Sequence, residues 1–288
     1  MQWTPGGLSD DLEDRRNESG GGGGGGFGGG RLGIGGILIV GLLSLIFRHN
    51  FFTLFSGDTG APAAVRSAPH RQSTGQADTE AQFMSFVLDD AQRNWDQILP
   101  RDGGVRYRHA KLVLFRDAYP SGCGMAQDAT GPFYCPEDEK VYLDLGFFNE
   151  LKTRFGASNG EFAQAYVVAH EIGHHVQKVL GIEPKVHALQ EQRPGQANRL
   201  SVALELQADC FAGIWGNSTA QRRLIDTADV QSALSAAAAV GDDRIQKMST
   251  GQVSPEKFTH GSAAQRTAWF ERGLNSGKIA ACDTFGQR

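Results

Sequence analysis

The sequence predicts an α+β domain dominated by helix. Two short strand-like runs come early in the folding part of the chain, five helical patterns follow them, and a low-complexity N-terminal stretch stands apart. Lys111 to Phe115 and Val141 to Leu145 are the strand-like runs, the second reading V-Y-L-D-L between turn-forming residues. Before them, Ala81 to Ile98 carries Phe83, Phe86, Val87, Ala91, Trp95 and Ile98 at helical spacing, and Pro100 closes that element. From Phe147 onward the periodicity predicts helices over 147–155, 161–180, 199–216, 228–248 and 262–275.

The rest of the organisation follows from composition. Of 288 residues 38 are glycine, and the excess is concentrated between Gly20 and Gly36. Residues 1–30 are therefore expected to form a disordered glycine-rich tail, because such a run cannot bury enough surface to fold. A phosphate-binding loop is excluded, since the glycines lack a Lys-Ser/Thr end. Leu32 to Phe47 has no charge and is bounded by Arg31 and Arg48; with the apolar run Phe51 to Phe55 it predicts one transmembrane anchor over 31–55. The small-residue site Ala61-Pro62-Ala63 lies too far from that stretch for a cleaved leader. Residues 56–78 read as a linker, and 79–288 as the folded domain. A net charge of −4 and a pI near 6.1 offer no basic face for nucleic acid.

Arginines flank the anchor on both sides, so charge alone does not orient it. Cys123, Cys135, Cys210 and Cys282 include no C-x-x-C pair. Cys123 and Cys135 flank a Gly- and Pro-containing stretch that a disulfide would close, leaving Cys210 and Cys282 as the second pair; in the cytosol the same four would be buried thiols. The disulfide reading favours an exported C-terminal domain.

The chemistry is carried by His170-Glu171-Ile172-Gly173-His174, the pattern H-E-x-x-H, within a predicted helix. Side chains four apart share a helix face, so both imidazoles can bind one metal ion. Glu171 is turned by about 100° from His170 and can reach a metal-bound water without becoming a ligand. A second helix carries Glu205-Leu206-Gln207-Ala208-Asp209, two carboxylates at i and i+4 among Leu, Ala, Phe and Trp. Carboxylates facing an apolar surface need a cation or strong donors. Glu205 is thus expected as the third zinc ligand, and Asp209 as acceptor for the outer N–H of His170. His175 points off the ligand face, and His109 and His187 lack partners at ligand spacing.

These two motifs, A-H-E-I-G-H-H-V-Q from Ala169 and E-L-Q-A-D-C from Glu205, resemble those of the bacterial neutral zinc metallopeptidases. The likeness extends to the anchor, the loop Gly131 to Cys135 and the C-terminal helix. It implies a zincin-like fold with a small sheet, Zn2+ as cofactor, peptide or protein substrates, and a single-pass protein of the bacterial inner membrane. The catalytic domain would then lie in the periplasm or outside the cell. Phe258-Thr259-His260-Gly261-Ser262, with Arg266 beyond, is similar to a His-Pro segment and downstream Arg in membrane zinc proteases that process prenylated proteins; Gly261 stands where that proline would be. The resemblance implies that His260 holds the transition-state oxyanion and that Arg266 orients nearby groups. The competing reading makes Ser262 an N-cap with Arg266 exposed. At the level of the whole protein, a low-turnover zinc-containing binding or quality-control module is the alternative to a peptidase, and the intact Glu171 speaks against it.

Overall fold

A computed structural model describes residues 1–18, 75–127, 131–158 and 160–286. The expected anchor at 31–55 and most of the expected linker lie outside them. Among the described residues no helix is long and apolar enough to cross a membrane.

The core begins with a four-stranded sheet in the order β1-β2-β6-β5. Strands β1 (Leu12–Asp14), β2 (Lys111–Phe115) and β6 (Lys140–Asp144) run parallel, and β5 (Phe133–Cys135) is antiparallel to β6. Both faces are covered, which is why β2 reads as an unbroken apolar run. Leu112, Leu114, Val141 and Leu143 face the helices, while Val113, Phe115 and Tyr142 form a smaller cluster with Ala126 and Cys135. Ala126 belongs to a two-stranded hairpin of β3 (Ala118–Ser121) and β4 (Gly124–Gln127), which the Cys123–Cys135 disulfide ties to β5.

Helix α1 (Gly75–Ile98) buries Phe83, Val87, Ala91, Trp95 and Ile98, as its periodicity predicts. After α2 (Gly146–Thr153), helix α3 (Glu161–Val179) runs through the centre, buried on nearly every side from Phe162 to Gln177. A left-handed turn at Gly181 leads to α4 (Ile182–Gln192), and α5 (Ala197–Gln221) packs back on α3. Gly173 permits that crossing: a Cβ there would lie 2.9 Å from the Ala208 carbonyl oxygen. Helices α6 (Thr227–Ala239), α7 (Asp242–Thr250) and α8 (Ala263–Ser276) complete the domain. Helix α8 lies so close on α5 that a Cβ on Gly273 would overlap the Cys210 carbonyl. The second disulfide, Cys210–Cys282, fastens the C-terminal turn to α5.

Three expectations are corrected, and one helix was not anticipated. Residues 1–18 are not a disordered tail: β1 pairs with β2, Trp3 packs on Phe83, and Asp11 accepts from Gln92 and His109. Only Leu12 of β1 is buried apolar, so backbone pairing and polar side chains, not a hydrophobic pattern, hold the segment. A span crossing the membrane once would place β1 and β2 on opposite sides, which their pairing forbids; Arg16 also lies 3.9 Å from Asp78, just where the described chain resumes. The predicted helix 228–248 is two helices, because the backbone of Gly241 is pressed against Ala263 and Asp242 is diverted to bind a loop. Helix α4 escaped notice because it buries only Val186 and Gln190.

Candidate metal centre

Helices α3 and α5 cross at the small contact of Gly173 and Ala208, and this crossing brings His170, His174 and Glu205 together. One ligand atom from each lies within 4.8 Å of the others. His170 Nε2 is 3.2 Å from one Glu205 oxygen, and His174 Nε2 is 3.5 Å from the other. Ligand atoms at about 2.0–2.1 Å from a tetrahedral zinc ion stand roughly 3.3–3.4 Å apart, so both contacts have the spacing a shared ion requires.

Each imidazole is held from behind through Nδ1, which directs its Nε2 to Glu205. His170 Nδ1 is 2.9 Å from Asp209, which is fully buried. Asp209 also accepts from Tyr166 at 2.5 Å and from Arg266 Nε and Nη2 at 2.9 and 3.0 Å. Burial alone would raise the Asp209 pKa, but Arg266 and His170 carry it below the ordinary carboxylate value. His174 Nδ1 is 2.9 Å from the Gln177 side-chain oxygen. With a proton on each Nδ1, two nitrogen lone pairs converge on a carboxylate. Such a set of acceptors needs a cation among them. Burial disfavours protonated His170, yet Asp209 and Glu205 push its pKa up to about 10. For Glu205, burial is outweighed by His260 and His174, which hold it well below the usual carboxylate range.

Glu171, next to His170 on α3, is largely buried and its carboxylate makes no hydrogen bond or ion pair among the described residues. His260 sits on the loop before α8. Its Nδ1 is 3.3 Å from Asp242 and 3.1 Å from Thr259 Oγ1, leaving Nε2 without a protein partner among the described residues. Burial would lower the His260 pKa, but Glu205 and Asp242 raise it. The backbone N–H groups of Thr259, His260 and Gly261 all donate to Asp242, at 2.7, 2.7 and 3.0 Å. That explains the missing proline: Gly261 has φ +91° and gives an N–H, and proline can do neither. Ser262 does cap α8 through a capping box with Gln265, yet Arg266 is only 3% exposed. Arg266 stands behind Asp209 and so positions rather than lines the site.

His175 lies off the metal, as its spacing predicts: Nε2 donates to the Arg108 carbonyl and Nδ1 meets the Tyr134 hydroxyl. Tyr166, Gln177, Gln207 and Asp242 were assigned no role from sequence. The one signal, for Gln177 and Gln207, was a polar side chain on a helix otherwise largely apolar; Asp242 opens a polar helix and carried none.

A small sheet beside crossed H-E-x-x-H and E-x-x-x-D helices, with two imidazoles and a carboxylate converging, is the architecture of a zinc-metallopeptidase family. The chain belongs to the family described as "putative neutral zinc metallopeptidase", which it matches over residues 1–285. It is similar to the uncharacterized protein YpfJ of Escherichia coli K12, at 46% identity across 100% of this chain and 99% of that one. The uncharacterized protein Rv2575 of Mycobacterium tuberculosis H37Rv is also 46% identical, over 66% of each chain. No solved structure matches the chain.

Proposed function

We propose that the protein is a zinc-dependent peptidase, on the strength of one observation above all: His170 Nε2, His174 Nε2 and Glu205 converge beside an unpaired Glu171. His170, His174 and Glu205 would hold the zinc ion. When bound, zinc supplies an acidified water and polarises the substrate carbonyl. Glu171, whose carboxylate is free, would accept a proton from the attacking water and return it to the leaving amine. His260, steadied through Nδ1 by Asp242, offers Nε2–H to the developing oxyanion. Asp209 and Arg266 keep the His170 ring in place.

An extended peptide would add to the exposed edge of the sheet. Strand β6 offers no such edge, because it is flanked by β2 and β5. The edge nearer the metal centre is β5, whose Tyr134 touches His175 on α3. We place substrate along Phe133–Cys135.

Both disulfides support an oxidising compartment, hence a domain in the periplasm or outside the cell. Attachment to the inner membrane through 31–55 then has to leave residues 1–18 and 75–286 on one side. All four cysteines are paired, so Leu8→Cys and Met248→Cys, both at exposed positions, give clean probes. In spheroplasts a membrane-impermeant maleimide is expected to label both variants. Labelling of one alone would refute the shared side.

Catalysis is tested by casein hydrolysis with the purified full-length chain. Activity abolished by chelation and by Glu171→Gln is expected. Equal activity of the Glu171→Gln variant would overturn the role of that residue.

A further inference from the structure

Behind His174 the hydrogen bonds do not stop at Gln177. Gln177 Nε2 donates to the Leu204 carbonyl at 2.7 Å and to Gln207 Oε1 at 3.1 Å. Gln207 Nε2 in turn donates to the Cys282 carbonyl at 2.9 Å. Both glutamines are buried, and Cys282 is joined through its disulfide to Cys210, one turn beyond Gln207 on α5.

The direction of this chain is not arbitrary. Leu204 and Cys282 present carbonyl oxygens, which only accept, so each glutamine must turn its NH2 toward them. Gln207 Oε1 is then left facing Gln177, and Gln177 Oε1 facing His174 Nδ1. His174 must therefore carry its proton on Nδ1 and aim an Nε2 lone pair at the metal position. Bonds that all run one way polarise one another, so the far end is felt at the near end. The far end is anchored covalently: apart from the disulfide, the C-terminal turn is tied to α5 by Gln207 itself and by Thr284 to the Ala203 carbonyl.

We propose that the Cys210–Cys282 disulfide, acting through Gln207 and Gln177, sets how firmly His174 holds zinc, so that full metal retention is reached only after this pair has been oxidised. Gln177 and Gln207 are positioning residues. In the oxidation step the two thiols give up two electrons and two protons to a disulfide-bearing oxidant, which leaves as two thiols while the Cys210–Cys282 bond forms. Before oxidation only the Gln207 and Thr284 hydrogen bonds and apolar packing hold the C-terminal turn to α5, so the Cys282 carbonyl fixes Gln207 less firmly and the polarisation passed on to Gln177 and His174 is weaker. A chain made in a reducing compartment thus holds zinc loosely until it reaches an oxidising one. This inference rests on the zinc-site reading above.

The test is zinc affinity, measured by chelator competition on the full-length protein, with the visible spectrum of the cobalt(II)-substituted form as a second readout. Three variants are compared: Cys210→Ala/Cys282→Ala, Gln207→Leu with the disulfide intact, and the two combined. Each of the first two is expected to bind zinc about tenfold more weakly and to shift the cobalt spectrum. The combination is expected to be no weaker than either, since both cut one chain. Wild-type affinity in Gln207→Leu, or losses that multiply in the combined variant, would overturn the proposal while leaving the zinc site intact. A wild-type chain that holds no zinc would overturn the zinc site and the proposal together.

Discussion

His170 and His174 sit one helical turn apart and point Nε2 at the same carboxylate, yet opposite kinds of chemistry brace them. Behind His170 stands an ionic cluster, with Asp209 receiving Arg266, Tyr166 and the imidazole inside a fully buried pocket. Behind His174 stand two neutral amides that end on a backbone carbonyl. A carboxylate raises the basicity of the imidazole it accepts from, but it must itself be neutralised when buried. An amide needs no counter-ion and perturbs the imidazole less. The first brace is therefore strong and brittle, and the second is weaker and open to adjustment.

The largest expected effect comes from breaking the ionic brace. Arg266→Met leaves Asp209 buried without its counter-charge and should cost about 3–5 kcal/mol of unfolding free energy, read by urea denaturation. A loss below about 1 kcal/mol would mean that Tyr166 and His170 suffice for Asp209. Gln177→Leu should fall mainly on the metal instead. Zinc affinity drops about 10- to 100-fold, and stability by only about 1–3 kcal/mol, for the buried Gln207 amide oxygen left without its donor. Were the two variants to lose stability equally, the contrast between the braces would fail.

The smallest effect comes from an exposed version of the first brace. His109 bridges Asp11 and Asp96 at 2.8 and 2.9 Å, with Lys111 beside Asp11 and the Tyr107 ring near the imidazole. Burial would lower the His109 pKa, but the hydrogen bonds to Asp96 and Asp11 raise it. A raised folded pKa contributes stability that is complete below the unfolded value of about 6.5 and is lost as pH rises through the folded one. Amide exchange in residues 10–14, corrected for its intrinsic rate, should therefore be slower at pH 6 than at pH 8.5. His109→Gln should flatten that difference; an unchanged profile would show that backbone pairing alone holds β1.

The same contrast explains what could be read from the sequence. His170, Glu171, His174, Glu205 and Asp209 were legible because helix geometry turns a spacing of four into a shared face. Asp209 was further marked by a carboxylate's need for a partner among apolar neighbours. Gln177 and Gln207 carry no charge and are ordinary helix formers, so polarity on largely apolar helices marked them only weakly. Strand β1 was hidden for a related reason: its hold comes from pairing with Leu112 to Leu114, about a hundred residues away, and from Asp11. The place of β6 inside the sheet was equally invisible, since a strand-like run carries no mark of which neighbours it will have. The disulfide pairing could be read by elimination, but not its link to the metal centre, which runs through side chains on three separate segments.

Metal content of the purified full-length chain tests the central claim most directly, measured for the wild type, His170→Ala, Glu205→Ala and Glu171→Gln. The account predicts one zinc per chain in the wild type and in Glu171→Gln, and loss of zinc in the other two. Zinc retained in Glu205→Ala, or lost from Glu171→Gln as fully as from His170→Ala, would contradict it.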